Sequence, residues 1–249
     1  MDRLKIVIMT CMWQRHELTD YIFARWKKEK EYCKDLDVIL LAVGSEGDIS
    51  KKIAERNDFV YVECENQPLN RKNNCGSLAA KVFNPDFLIY VNSDTLFSRG
   101  IISALISKAE EGFFYGLRDL YNLSIKHKKI SYWAGWTKSS RRFHEAIGTG
   151  RCFNRKILET VDWQLWDQDV NINRGLDFNC TRKLFKYGFK IDAFYMKEFG
   201  IDAMEIKTVT NIWKWESIVH NKILTSFDMT RILSRLEATD LFQRIKYEQ

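Results

Sequence analysis

The sequence predicts an α/β fold, a mostly parallel sheet flanked by helices, closed by C-terminal helices. Three observations carry this prediction. Short apolar runs alternate with segments of helical periodicity through residues 1–118. Polar clusters follow four of those apolar runs. Only two prolines and no low-complexity tract occur in 249 residues, so nothing marks a linker and one domain over 1–249 is expected.

Residues 5–9 form a short apolar strand. Residues 16–34 place Leu18, Tyr21, Ile22 and Trp26 on one face of a helix. Residues 37–43 are continuously apolar, as expected of a strand covered on both sides. Gly44-Ser45-Glu46-Gly47 breaks that run, and a short helix follows over 50–56. A third strand covers 59–63. A helix begins near Asn70 and carries its apolar centre at 78–82. Strand 86–91, helix 101–110 and strand 113–117 complete this half. Beyond it strands are expected to be fewer. A helix spans 177–187 between Gly175 and Gly188. Residues 225–246, with Phe227, Ile232, Leu233, Leu236, Leu241 and Ile245, read as two amphipathic helices packed on the body.

Several classes are excluded. No apolar stretch reaches the length of a membrane span, and the first apolar run is too short for a signal-peptide core. An intracellular, cytoplasmic location is therefore expected. The six cysteines are scattered, without a CxxC pair. The segment after the first strand reads TCMWQRHEL, which lacks a G-x-G-x-x-G turn. P-loop and nucleophile-elbow motifs are missing as well.

In open α/β sheets, ligands bind beyond the carboxyl ends of the strands. Four polar clusters fall at such ends: 10–15, 44–48, 66–76 and 92–95. Together they suit a nucleotide-sized ligand. Asp94, in YVNSDTLF, can bind Mg²⁺ or Mn²⁺, hard cations that prefer oxygen. Lys72, with Arg71, can contact a diphosphate, and Asn70, Asn73 and Asn74 supply donors and acceptors. His144 is a candidate second metal ligand or a surface histidine. Asp177, in RGLDFN, reads as a helix N-cap or as a functional carboxylate. Trp133 and Trp136 read as core or as a stacking wall.

Charge is concentrated. Residues 126–156 hold nine basic residues against the single acid Glu145, a local charge of +8 in a chain of +6. Tyr132, Trp133, Trp136, Phe143 and Phe153 are interleaved with them. A solvated face is one reading. The other is a surface for a polyanion with stackable bases.

The ordered set Thr10…Arg15, Gly44-Ser45-Glu46-Gly47, Pro68-Leu69-x-x-Lys72-x-Asn74-x-Gly76, Ser93-Asp94, Ile147-Gly148-Thr149-Gly150-Arg151 and Gly175-Leu176-Asp177 resembles small GT-A glycosyltransferases of bacteria and phages. The resemblance implies a Rossmann-like sheet that takes a nucleoside-diphosphate sugar, a UDP-sugar first among them, with Mn²⁺ or Mg²⁺. It implies a nucleotide-sugar half over 1–118, an acceptor half over 119–200 and a helical extension over 201–249. Thr10, Arg15, Gly44, Ser45 and Glu46 would lie by the base and ribose. Lys72, Asn74 and Ser93 would lie by the diphosphate or sugar, and Asp94 would hold the metal. Asn92 and Thr95 stand where the family's Asp-x-Asp motif carries further acids. Asp177 would be the general base of an inverting transfer. Trp133, Trp136, Arg141, Arg142 and Arg151 would face the acceptor. That acceptor is nucleic acid, as in hydroxymethylated phage DNA inside the host cytoplasm, or a glycan. Two other classes fit less well. A nucleotidyltransferase would need a Gly-rich loop after the first strand, and a non-catalytic DNA-binding protein would not need four polar strand ends.

Overall fold

The structure is a computed structural model that describes residues 3–108, 112–211, 214–218 and 222–245. In chain order the elements are β1 (Lys5–Cys11), α1 (His16–Tyr32), β2 (Asp37–Gly44), α2 (Asp48–Arg56), β3 (Phe59–Glu63), α3 (Leu69–Ala80), β4 (Phe87–Asn92), β5 (Thr95–Phe97), α4 (Ile101–Ile106) and β6 (Phe113–Leu117). There follow β7 (Leu120–Ser124), β8 (Lys129–Trp133), β9 (Arg151–Asn154), α5 (Arg155–Thr160), α6 (Leu176–Lys186), β10 (Lys190–Phe194), β11 (Ala203–Lys207), β12 (Lys222–Ile223), α7 (Ser226–Arg235) and α8 (Leu241–Arg244).

A seven-stranded sheet runs β10-β6-β9-β4-β1-β2-β3. Strands β3, β2, β1 and β4 are parallel, β9 is antiparallel to β4 and β6, and β6 and β10 pair in parallel. Side chains on a strand alternate between faces, and β1 shows the consequence. Ile6 and Ile8 join one buried cluster and Val7 and Met9 the other. The first cluster is covered by α1, α2 and the C-terminal helices. The second is covered by α3, α5 and α6. Each buried aliphatic side chain contributes about 1.5–3 kcal/mol.

Gly76 sets the distance between α3 and the sheet. A Cβ there would lie 2.7 Å from Met9 Sδ and from Val43 Cγ2. The helix that carries Lys72 therefore rests directly on the ends of β1 and β2.

The expectation of few strands in the second half is corrected. A second sheet, β12-β8-β7-β11-β5, is built mainly there. Its strands are short and carry polar residues, so their alternation is weak in sequence. The hairpin β7–β8 turns through the exposed residues Lys126, His127 and Lys128. Helix α4 ends at Ile106, short of the expected 110. Residues 109–111 lie outside the described residues, as does Lys246, the last position of the expected C-terminal helices. Among the described residues no helix is long and apolar enough to cross a membrane.

Candidate active site

The carboxyl ends of β1 and β4 open into a cleft of about 450 Å³. Its walls include Met12, Trp13, Arg15, Lys72, Asp94, Asp177 and Glu205. At the end of β1, Gln14 and Arg15 both adopt left-handed backbone (φ 52° and 50°), a conformation that costs a non-glycine residue about 1 kcal/mol or more. Glu46 holds this turn. Its Oε2 accepts from Gln14 N at 2.8 Å and lies 3.2 Å from His16 Nε2. The turn aims the Arg15 guanidinium at β4. There Nη1 donates to Asp94 Oδ2 at 2.5 Å and Nη2 to Ser93 Oγ at 3.3 Å.

Asp94 lies between β4 and β5, 4% exposed. Its Oδ2 also accepts from Asn211 Nδ2 at 2.8 Å. Its Oδ1 is buried and has no hydrogen-bond partner among the described residues. Beside it stands a second carboxylate that the sequence reading missed. Strand β11 pairs Glu205 with Thr95, and Ile206 N donates to Asp94 O at 2.8 Å. Glu205 Oε1 accepts from Lys207 Nζ at 2.5 Å. Burial raises the Glu205 carboxyl, the Asp94 charge adds to this, and Lys207 opposes it. Among the described residues no group of three or more His, Cys, Asp or Glu side chains gathers as a metal site, so a divalent cation here would take the free Asp94 oxygen and Glu205 and keep waters and phosphate oxygens as its other ligands. Asp94 and Glu205 are the residues that would hold it. His144 is exposed, packs its ring on Phe143 at 4.9 Å, and does not line the cleft.

Lys72 is buried, with all three of its donors engaged by the chain. Nζ reaches Met12 O at 2.8 Å, Ser45 Oγ at 3.0 Å and Asn66 Oδ1 at 3.0 Å. Burial lowers its pKa. It joins the ends of β1 and β2 to the loop before α3. Asn74 is likewise turned inward: Nδ2 donates to Trp166 O at 2.7 Å, and Oδ1 accepts from Trp166 N at 3.0 Å. It fixes Trp166, which forms part of the cleft. Thr10, Gly44, Ser45, Glu46 and Asn74 do not line the cleft. Thr10 is fully buried, and Gly44 packs where a Cβ would lie 2.5 Å from the Tyr61 ring. Cys11 on the cleft wall is no nucleophile, since burial pushes its thiol up to about 12.

A second cavity of about 290 Å³ adjoins the first. Asn92, Gly148, Gly175, Asp177 and Glu205 line both. Its outer walls are Trp133 and Trp136, half-buried and edge to face with centroids 5.2 Å apart. Arg142 sits 4.0 Å over the Trp136 ring. Its Nε donates to Glu145 Oε2 at 2.7 Å, and its Nη2 pairs with Asp177 Oδ2. Asp177 lies in the first turn of α6. It is no N-cap: Gly175 caps the helix. Arg151, placed by sequence on the acceptor side, is 1% exposed. Its guanidinium donates to Ala146 O, Ile147 O, Asp177 O and Thr181 Oγ1 at 2.7–3.1 Å. It ties the 146–150 loop to the start of α6 and so positions Asp177. Arg141 is exposed beside Phe178 and outside both cavities.

No protein-family model matches the sequence, and no curated protein matches it significantly. Solved structures do. A mannosyltransferase from Pyrobaculum calidifontis, PcManGT, in complex with GDP-Man and Mn²⁺, superposes with a TM-score of 0.57 at 13% identity, over 85% of this chain and 59% of that one. S. aureus TarS 1-349 in complex with UDP superposes with a TM-score of 0.53 at 11% identity, over 96% of this chain and 66% of that one. The fold is a GT-A-like glycosyltransferase fold. The chain spans under two thirds of either neighbour's length.

Proposed function

We propose that the protein is a nucleotide-sugar-dependent glycosyltransferase whose base is Asp177. The observation that supports this most is the continuity of the two cavities through Asp177. A cleft with a carboxylate wall at the strand ends meets an aromatic cavity at one carboxylate. Both neighbours are solved in complex with a nucleotide or nucleotide sugar, GDP-Man in one and UDP in the other.

In this reading the nucleoside diphosphate lies in the larger cleft, with the base against Trp13, which is 40% exposed. The acceptor enters between Trp133 and Trp136. Its hydroxyl oxygen attacks the anomeric carbon while Asp177 takes the hydroxyl proton. The bond from that carbon to the diphosphate oxygen breaks, and the configuration inverts. Arg142 holds the Asp177 carboxylate in place and rests against Trp136. A divalent cation held by Asp94 and Glu205, when bound, supplies charge neutralisation for the departing diphosphate. Arg15 contributes positive charge at the same point.

The acceptor is read as nucleic acid with a hydroxymethylated base, because the basic segment is interleaved with aromatics. The half-buried Trp pair favours a glycan as the second reading, since flat aromatic faces also suit a sugar ring. Charge reversal at Arg141, which lies outside both cavities, separates the two. It abolishes DNA binding if the first holds and leaves activity on a neutral glycan if the second does. Donor binding is tested by melting the protein with UDP or GDP and Mn²⁺. A shift with either supports the transferase reading, and no shift with any nucleotide removes it.

A further inference from the structure

Three arginines surround one ring beside the proposed base. The guanidinium carbons of Arg141, Arg142 and Arg182 lie 5.3, 5.7 and 5.6 Å from the Phe178 centroid. Phe178 follows Asp177 in the first turn of α6. Arg142 is neutralised by Glu145 and Asp177. Arg141 and Arg182 are exposed, and neither makes an ion pair with any described residue. Sharing one ring keeps these two within about 11 Å of each other. Two exposed positive charges without an acidic partner among the described residues attract an anion to this surface. Guanidinium forks are the side chains best shaped to receive a phosphate. The first turn of α6 also presents its positive dipole end here.

We propose that Arg141 and Arg182, on the Phe178 platform, form an anion subsite that grips a phosphodiester of the acceptor strand next to the reacting hydroxyl. The inference rests on the transferase reading and adds to it a site for the charge of the acceptor. A phosphodiester on this subsite places a nucleic-acid strand here, with a base in the cavity between Trp133 and Trp136 and its phosphate on the arginines.

The test compares the parent protein with an Arg141→Ala/Arg182→Ala variant, leaving Arg142 intact. Fluorescence polarisation follows a labelled single-stranded thymidine oligonucleotide between about 50 and 200 mM salt. Each single-strand phosphate contact contributes a slope of about −0.7 to the dependence of log affinity on log salt. The variant is expected to bind roughly tenfold more weakly or worse at low salt, with a slope shallower by about 1.4. Its melting temperature and its stabilisation by UDP with Mn²⁺ are expected to match the parent. Equal oligonucleotide affinity and slope in the two proteins, with the UDP effect intact in both, overturns the subsite alone, as does transfer to an uncharged glycan that is indifferent to both salt and the substitutions. Absence of any UDP or GDP effect on the parent overturns the transferase reading beneath it.

Discussion

Asp177 is held by its surroundings rather than by its own helix. Arg142 meets its carboxylate, and Arg151 and Thr181 meet its backbone carbonyl. Asp177→Asn keeps the size and loses the proton acceptor. It is expected to retain UDP or GDP binding and to lose transfer by about 10²–10⁴-fold, the range for a positioned general base. Full transfer by the variant would remove Asp177 from that role. Glu205 makes a second prediction at this scale. Glu205→Gln keeps the contact with Asn211 and removes a charge beside the unpartnered oxygen of Asp94. The Mn²⁺ concentration giving half-maximal nucleotide binding is expected to rise several-fold, and an unchanged value would remove Glu205 from the metal site. Asp94 was legible in sequence because it ends an apolar run in Asn-Ser-Asp-Thr. Glu205 was not. It lies 111 positions away and arrives only through the antiparallel pairing of β11 with β5.

Helix α3 shows why several predicted contacts face inward. Lys72 and Asn74 occupy its first turns, and Gly76 seats it on the sheet. Their polar groups are then engaged by backbone and side-chain atoms of the surrounding loops. A polar residue in a strand-end cluster has one sequence signature whether it binds a ligand or supports the loop that does. Arg151 repeats the lesson, since a basic residue in a basic segment was expected to face the acceptor and is instead among the most buried side chains. Asn74→Ala leaves the Trp166 N–H unpaired in a buried place and leaves its carbonyl with only the 3.3 Å contact from Lys183. A loss of about 2 kcal/mol is expected, visible as a fall of about 4–8 °C in melting temperature. Nucleotide affinity should fall too, because Trp166 forms part of the cleft. A variant as stable as the parent would contradict this. The parallel core, β1 to β4, was legible because each strand is apolar on both faces. The second sheet was not, because its strands are brief and their partners distant in sequence.

Across the whole molecule, burial raises the carboxyls of Glu29, Asp119, Glu145, Asp202 and Glu205. A group raised on folding binds its proton more readily in the folded state. Its contribution is therefore fully present below the ordinary value and lost as pH rises through the raised one. Asp228 and Asp240 are lowered by hydrogen bonds from Thr225 and Tyr21, so they oppose this only in stronger acid. Melting temperature is expected to climb as pH falls through the raised values, then to drop in stronger acid as Asp228 and Asp240 take up protons. Glu205→Gln should flatten part of the climb, and a steady decline with falling pH would contradict the burial. The central claim, a donor site joined to an acceptor cavity at Asp177, is tested most directly by nucleotide binding. Calorimetric titration of UDP and of GDP with Mn²⁺ into the parent and into an Asp94→Asn variant is the decisive measurement. The account predicts saturable binding of one nucleotide that weakens at least about tenfold, or about 1.4 kcal/mol, in the variant. No binding of either nucleotide to the parent, or equal binding by both proteins, would contradict it.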